Sequence, residues 1–139
     1  MRKAWAFALA LGCAAPAFGA TPPADPVDAR YTPAYNACLA SPDGASTYGM
    51  IVCTQKEDDL QDARLNAVYK KVMADLNTRQ KAKLLAAQRA WIAFRDAECA
   101  SYQDEDWGTI SRVLAAGCVL HMTVQRTMDL EHYPPGSAD

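Results

Sequence analysis

Four carboxylates crowd one short stretch, Glu57, Asp58, Asp59 and Asp62, and a second acidic run, Asp104, Glu105 and Asp106, ends on Trp107. Paired carboxylates are the apparatus of glycoside hydrolysis, one serving as acid and the other as base or nucleophile. Here a single helix would carry the whole first group, with no cleft-forming loops and no positioned nucleophile around it, so the pattern does not specify a hydrolase. Cys38, Cys53, Cys99 and Cys118 offer sulfur ligands or nucleophiles. Their spacings are long and contain no C-x-x-C pair, which disfavours zinc, and each has a role as half of a disulfide, which disfavours a thiolate nucleophile. Ser101 and Ser111 lack a nucleophile elbow, and no glycine-rich phosphate loop occurs. His121 falls in the apolar stripe of a helix, where a lone histidine is a hydrogen-bonded core residue, and His132 lies near the end of the chain. No catalytic residues, metal or cofactor are expected; the chemistry expected is recognition.

The stretch "QRAWIAFRDAEC", residues 88–99, poses a packing problem. At 100° per residue Leu84, Gln88, Trp91, Ile92, Arg95, Cys99 and Tyr102 share one helical stripe, and two strongly polar side chains interrupt its middle. If this helix forms an antiparallel hairpin with the one before it, turning near residue 77, positions whose numbers sum to about 152 face each other. Glu57 then faces Arg95, a guanidinium whose planar fork satisfies a carboxylate bidentately, and Gln88 meets a backbone group or the side chain of Asn66 or Tyr69. Glu57, Gln88, Trp91 and Arg95 are read as a structural set that fixes helix register. The same rule brings Cys53 to Cys99 and leaves Cys38 for Cys118; the local scheme, Cys38 with Cys53 and Cys99 with Cys118, closes shorter loops and stays open beside it.

The elements that must position these residues are helical. "AYNACLA" predicts a short helix stopped by the turn "SPDG". From about Thr47 to Leu76 the residues Met50, Ile51, Leu65, Val68, Tyr69, Val72 and Leu76 share a broad face with no internal proline, predicting a long helix. Asn77 and Thr78 end it and cap the next, which runs through "AKLLAAQRAW" to about Tyr102. After "QDEDWG", Thr109 is placed to cap a third long helix, lined on one side by Ile110, Val113, Leu114, Gly117, Cys118, His121, Val124 and Met128; Met73, Met122 and Met128 are read as core filling. "YPPGSAD" ends it. No stretch alternates with period two, so the expected fold is all-α: a small antiparallel three-helix bundle with an extra short N-terminal helix, stapled by two disulfides.

The chain starts "MRKAWAFALALGCAAPAFGA", a short basic region, an apolar run and small residues, the form of a secretory signal cleaved after Ala17 or Gly19. This predicts a signal peptide over 1–19, a proline-rich flexible lead-in over 20–33, a helical domain over 34–133 and a disordered tail over 134–139, in a periplasmic or secreted product. "LALGC" is a poor lipobox, and membrane attachment is expected only if Cys13 is lipidated. Loss of Arg2 and Lys3 takes the 14 basic residues to 12 against 16 acidic ones, a balance of −4 that argues against nucleic acid and suits a cationic partner.

The spaced set Gln88, Trp91, Arg95 and Cys99, Q-x-x-W-x-x-x-R-x-x-x-C, resembles the signature of the LprI-type lysozyme inhibitor family. "LNAVY" at 65–69 is similar to the first-helix motif of that family, and Cys118 followed by Thr123 and Arg126 to its third-helix motif, so the resemblance runs from residue 35 to 131. It implies an exported, helical, non-enzymatic protein that binds and blocks a muramidase. A basic lysozyme-type muramidase is then the expected partner, with Asp58, Asp59, Asp62, Asp104, Glu105, Asp106 and Trp107 as the candidate contacts. The alternative is an adaptor or structural protein of the cell envelope that binds another envelope partner.

Overall fold

The computed structural model describes residues 25–135. The expected signal segment, Cys13 and most of the expected tail lie outside these residues. Four helices carry the chain: α1 Pro33–Ala40, α2 Thr47–Ala74, α3 Thr78–Ala100 and α4 Ile110–Glu131, with 3-10 turns at Asp28–Arg30 and Glu105–Trp107 and, among the described residues, no strand. The all-helical expectation holds, and each long helix starts within two residues of its expected place.

Local chemistry sets those starts. The Thr32 side chain accepts from the Tyr35 amide with Pro33 next to it, opening α1, and Ser46 does the same for the Gly49 amide at α2. Asn77 and Gln80 satisfy each other's backbone amides in a reciprocal capping box, so the break between α2 and α3 needs only a three-residue link. At α4 the expectation fails in detail. Thr109 occupies the cap position but its side chain caps nothing; Gly108, at φ 64°, turns the chain, and the Ser111 hydroxyl donates to the Gly108 carbonyl. At the α1–α2 corner the backbone is so close that a Cβ on Gly49 would sit 1.8 Å from the Asp43 carbonyl oxygen. Only glycine fits there.

The three long helices run up, down and up. α4 is the common neighbour of α2, which lies parallel to it, and of α3, which lies antiparallel. The α2–α4 seam is lined by small and hydroxylic side chains, Ala115, Thr123 and Thr127 against Thr54 and Gln61, all buried or nearly so. Such residues let two helix axes approach closely, whereas α3 reaches its neighbours through the long side chains of Leu84, Gln88, Trp91 and Arg95 and is held further off. The buried face of α4 is therefore only in part the apolar stripe expected: Val124 is buried with Leu120 and Leu130, but the start of the stripe is not. Ile110 and Leu114 are 45% and 46% exposed, and Ser111, Ala115, Thr123 and Thr127 take the interior. Of the stripe expected along α3, Ile92 and, just past the helix end, Tyr102 face out while Leu84 and Cys99 are buried.

Two apolar clusters close the bundle. Leu65, Leu76, Leu84 and Leu130 pack at the α2–α3 turn with Val72, Trp91 and Tyr133, and Val27, Leu120 and Val124 pack on the other side with Tyr31, Tyr35 and Met128. Val27 belongs to the proline-rich lead-in that was expected to be free, yet it is fully buried. Residues 25–32 are laid along α2 and α4 instead, because Val27 has an apolar socket and Thr32 a carboxylate partner.

The disulfides follow the local scheme, Cys38–Cys53 and Cys99–Cys118. The hairpin rule that paired Cys53 with Cys99 fails since α2 and α3 diverge away from their shared turn. Met122 Sδ lies 3.7 Å from Cys99 Sγ and 3.9 Å from Cys118 Sγ, filling the space beside the second bridge. Non-reducing tryptic digestion should leave Cys38 and Cys53 bridged inside the single peptide 31–56 and link peptide 96–112 to 113–126; any species joining the first peptide to either of the others would contradict the pairing. Replacing Cys99 and Cys118 together by alanine should cost about 3 kcal/mol in urea unfolding.

Candidate partner-binding surface

Three side chains of α3 meet α4 in a polar seam. The Gln88 side-chain oxygen accepts from Arg126 Nε at 2.9 Å, and the Trp91 ring has the Arg126 guanidinium 5.8 Å from its centroid and that of Arg95 at 5.2 Å. Arg95 then gives Nε and Nη2 to Asp96 Oδ1 and reaches the Thr123 hydroxyl with Nη1. The expected set Gln88, Trp91 and Arg95 is thus brought together, but with α4 as its counterpart. Thr123 and Arg126 supply the other half.

Glu57 is not part of it. The expected Glu57–Arg95 pair is absent: Glu57, 2% exposed, accepts from the Thr32 amide at 3.0 Å, from the Thr32 hydroxyl and from Gln61 Nε2 at 2.7 Å. Gln61 Nε2 also donates to the Arg30 carbonyl. The carboxylate is therefore the clasp that holds the N-terminal segment on α2. Burial pushes its pKa up, but the bonds from Thr32 and Gln61 outweigh burial and hold it below the ordinary 4.5.

The α2 carboxylate that faces Arg95 is the next one, Asp58, turned 100° around the helix. Its pKa is raised above 3.8 chiefly by burial, with Asp62 and Asp59 adding to the rise against the opposing pull of Arg95 and Thr123. One of its oxygens, Oδ1, is buried with no hydrogen-bond partner. Gln88 meets neither Asn66 nor Tyr69; Asn66 bonds Asp62 on its own helix, and the Tyr69 hydroxyl is also buried without a hydrogen-bond partner.

Where α2 and α3 diverge, a groove of about 680 Å³ opens over α4. Ile51, Val52 and Thr54 form one wall, Ala115, Ala116 and Val119 the floor, and Cys99, Ala100 and Gln103 the far wall. Asp58 and Asp96 line it on one side, Arg112 on another, and Tyr48, 77% exposed, stands at its mouth. The acidic 3-10 turn follows directly on Gln103: Asp104 accepts from the Asp106 amide, Glu105 and Asp106 are exposed, and Trp107 is 52% exposed. Asp59 and Asp62 face solvent on α2. Of the candidate contacts, Asp58 therefore lines the groove, Asp104–Trp107 follow directly on Gln103 of its far wall, and Asp62 lies a turn further along α2. Tyr48, Asp96 and Arg112 escaped the sequence reading, as nothing in their spacing sets them apart from ordinary surface residues.

Other candidates for chemistry are engaged in structure. Ser101 Oγ donates to the Glu98 carbonyl, and His132 Nδ1 lies 2.8 Å from the Met128 carbonyl oxygen. Among the described residues no group of three or more His, Cys, Asp or Glu stands where it could hold a metal ion, and no helix is long and apolar enough to cross a membrane.

The molecule is a disulfide-stapled helical bundle whose polar seam locks α3 to α4 and whose diverging helices open a groove lined by Asp58, Asp96 and Arg112. The chain belongs to the family described as lysozyme inhibitor LprI, whose profile matches residues 33–130. The Gln88, Trp91, Arg95 and Cys99 signature lies within that span. It is also 29% identical to an uncharacterized protein of Rhizobium meliloti (strain 1021), over 69% of this chain and 81% of the relative. No solved structure matches it.

The neighbouring carboxylates should respond oppositely to neutralisation. Glu57→Gln loses a group whose folded pKa is depressed, so it should destabilise by about 1–3 kcal/mol at neutral pH, a deficit that vanishes as pH falls below the usual carboxylate range. Asp58→Asn removes a charge whose folded pKa is raised, so it should unfold at higher urea than the wild type at neutral pH and lose that advantage in acid. Urea midpoints at pH 7 and pH 3 would check both signs.

Proposed function

We propose that this chain is an exported, non-catalytic inhibitor of lysozyme-type muramidases that acts by protein–protein contact in the periplasm or outside the cell. Membership of a family described as lysozyme inhibitors, over residues 33–130, is the observation that carries this reading. The arrangement of charge supports it. Asp58 lines the groove, Asp59 is exposed next to it on α2, and the exposed Asp104–Asp106 follow Gln103 of the far wall, in a chain whose acidic residues outnumber its basic ones; such a field would steer a cationic partner. Muramidases of the basic animal type fit such a field. The signal-like residues 1–19 would deliver the chain to an oxidising compartment in which both disulfides persist.

The oxidised mature domain, titrated into a peptidoglycan-lysis assay with a basic chicken-type lysozyme, should inhibit saturably, and raising salt from 20 to 300 mM should weaken the inhibition several-fold. A folded protein that leaves lysis unchanged for this and other lysozyme types would overturn the reading in favour of an envelope adaptor.

A further inference from the structure

We propose that the groove between α2 and α3 is the inhibitory contact itself, and that it receives a protruding segment of the muramidase bearing an arginine or lysine whose cationic head reaches Asp58 and Asp96. The inference rests on the inhibitor reading and adds where and how the partner is held. Three features of the groove lead to it. Its floor and one wall, Ala115, Ala116, Val119 and Val52, are small or apolar, leaving a trough rather than a filled core. Tyr48 stands 77% exposed at the mouth and Trp107 52% exposed on the turn beyond Gln103, aromatic side chains of the kind that anchor interfaces.

The third feature is charge. Asp58 and Asp96 flank a single guanidinium, Arg95, whose Nε and Nη2 both go to one oxygen of Asp96. Asp58, which lines the groove, has one oxygen buried without a hydrogen bond. On the Asp58–Asp96 side two carboxylates share one cation, which leaves that side of the trough with a local negative excess, and the exposed acids Glu105 and Asp106 follow shortly after Gln103 of the far wall. Arg112 opposes that excess at the other side of the trough. A second cation, presented on an apolar stem that follows the alanine floor, would complete the Asp58–Arg95–Asp96 arrangement; an anionic or purely apolar segment would leave it short of positive charge.

Asp58 also sits there at a cost to the fold, since burial disfavours its charge. Carboxylates perturbed in this way cluster at functional sites.

Four variants, compared with the wild type in the lysis titration, test this. Ala116→Trp fills the trough, Asp58→Asn removes the charge without removing the side chain, Tyr48→Ala trims the mouth, and Asp75→Asn makes the same charge change at the far end of the bundle, on an exposed residue. Far-ultraviolet circular dichroism and urea midpoints establish folding for each. The expected result is at least a ten-fold rise in the concentration for half-inhibition in Ala116→Trp and Asp58→Asn, a smaller rise in Tyr48→Ala and none in Asp75→Asn. Should Ala116→Trp fail to fold, Asp58→Asn and Tyr48→Ala decide. Wild-type potency in Asp58→Asn would overturn the groove while leaving the inhibitor reading intact. Absence of inhibition by the folded wild type would overturn the reading and the groove's occupant with it.

Discussion

The bundle depends on α4 serving three neighbours at once. α2 lies along one side of it, α3 along another, and the N-terminal segment seals a third through Val27, Leu120 and Val124. A helix flanked in this way keeps only a narrow exposed stripe, with Arg112, Gln125 and Asp129 on it. It must bury some of its polar positions, and it does so with residues that are small and locally satisfied. The Thr127 hydroxyl bonds back to the Thr123 carbonyl, and the Thr123 hydroxyl meets Arg95. Close approach of α2 to α4 follows from those small side chains, and so does the spreading of α3.

Spreading, in turn, separates the ends of the molecule by function. At the α2–α3 turn, four buried leucines and the capping box draw the helices together. At the opposite end the helices part, and covalent links replace apolar contact: one disulfide fixes α1 to α2, the other α3 to α4. The walls of the groove are therefore held from outside, which lets its interior stay open. The polar seam of Gln88, Trp91, Arg95, Thr123 and Arg126 lies between the two regimes and fixes the rotation of α3, hence the direction in which Asp96 and Cys99 point.

Helix existence and helix starts were legible from sequence because they rest on local chemistry: Asn77 and Gln80 cap within one turn, and Pro33 follows its cap directly. Tertiary pairings were less so. The hairpin rule treats two helices as parallel rods in mutual contact, and these two are kept apart by Trp91 and Arg95, so Glu57 was given Arg95 when the facing carboxylate was Asp58. The true partner of Glu57, Thr32, lay in a stretch whose prolines read as a free lead-in. On α4 the apolar stripe pointed to Ile110 and Leu114, residues left outside because hydroxylic side chains were the ones small enough for the seam. The acidic candidates on either side of the groove were visible as clusters, but the trough between them arises only from helix divergence, which no periodicity encodes.

The order of the bridges along the chain has a further consequence. Among Cys38, Cys53, Cys99 and Cys118 each bridge joins consecutive cysteines, at separations of 15 and 19 residues, so the two loops neither overlap nor nest. A chain delivered from its N-terminus to an oxidant would meet its correct partner each time a new thiol emerged, Cys53 finding Cys38 before Cys99 was present at all. Oxidation in order of arrival thus gives the native connectivity directly, with no need for a thiol–disulfide isomerase to undo wrong pairs.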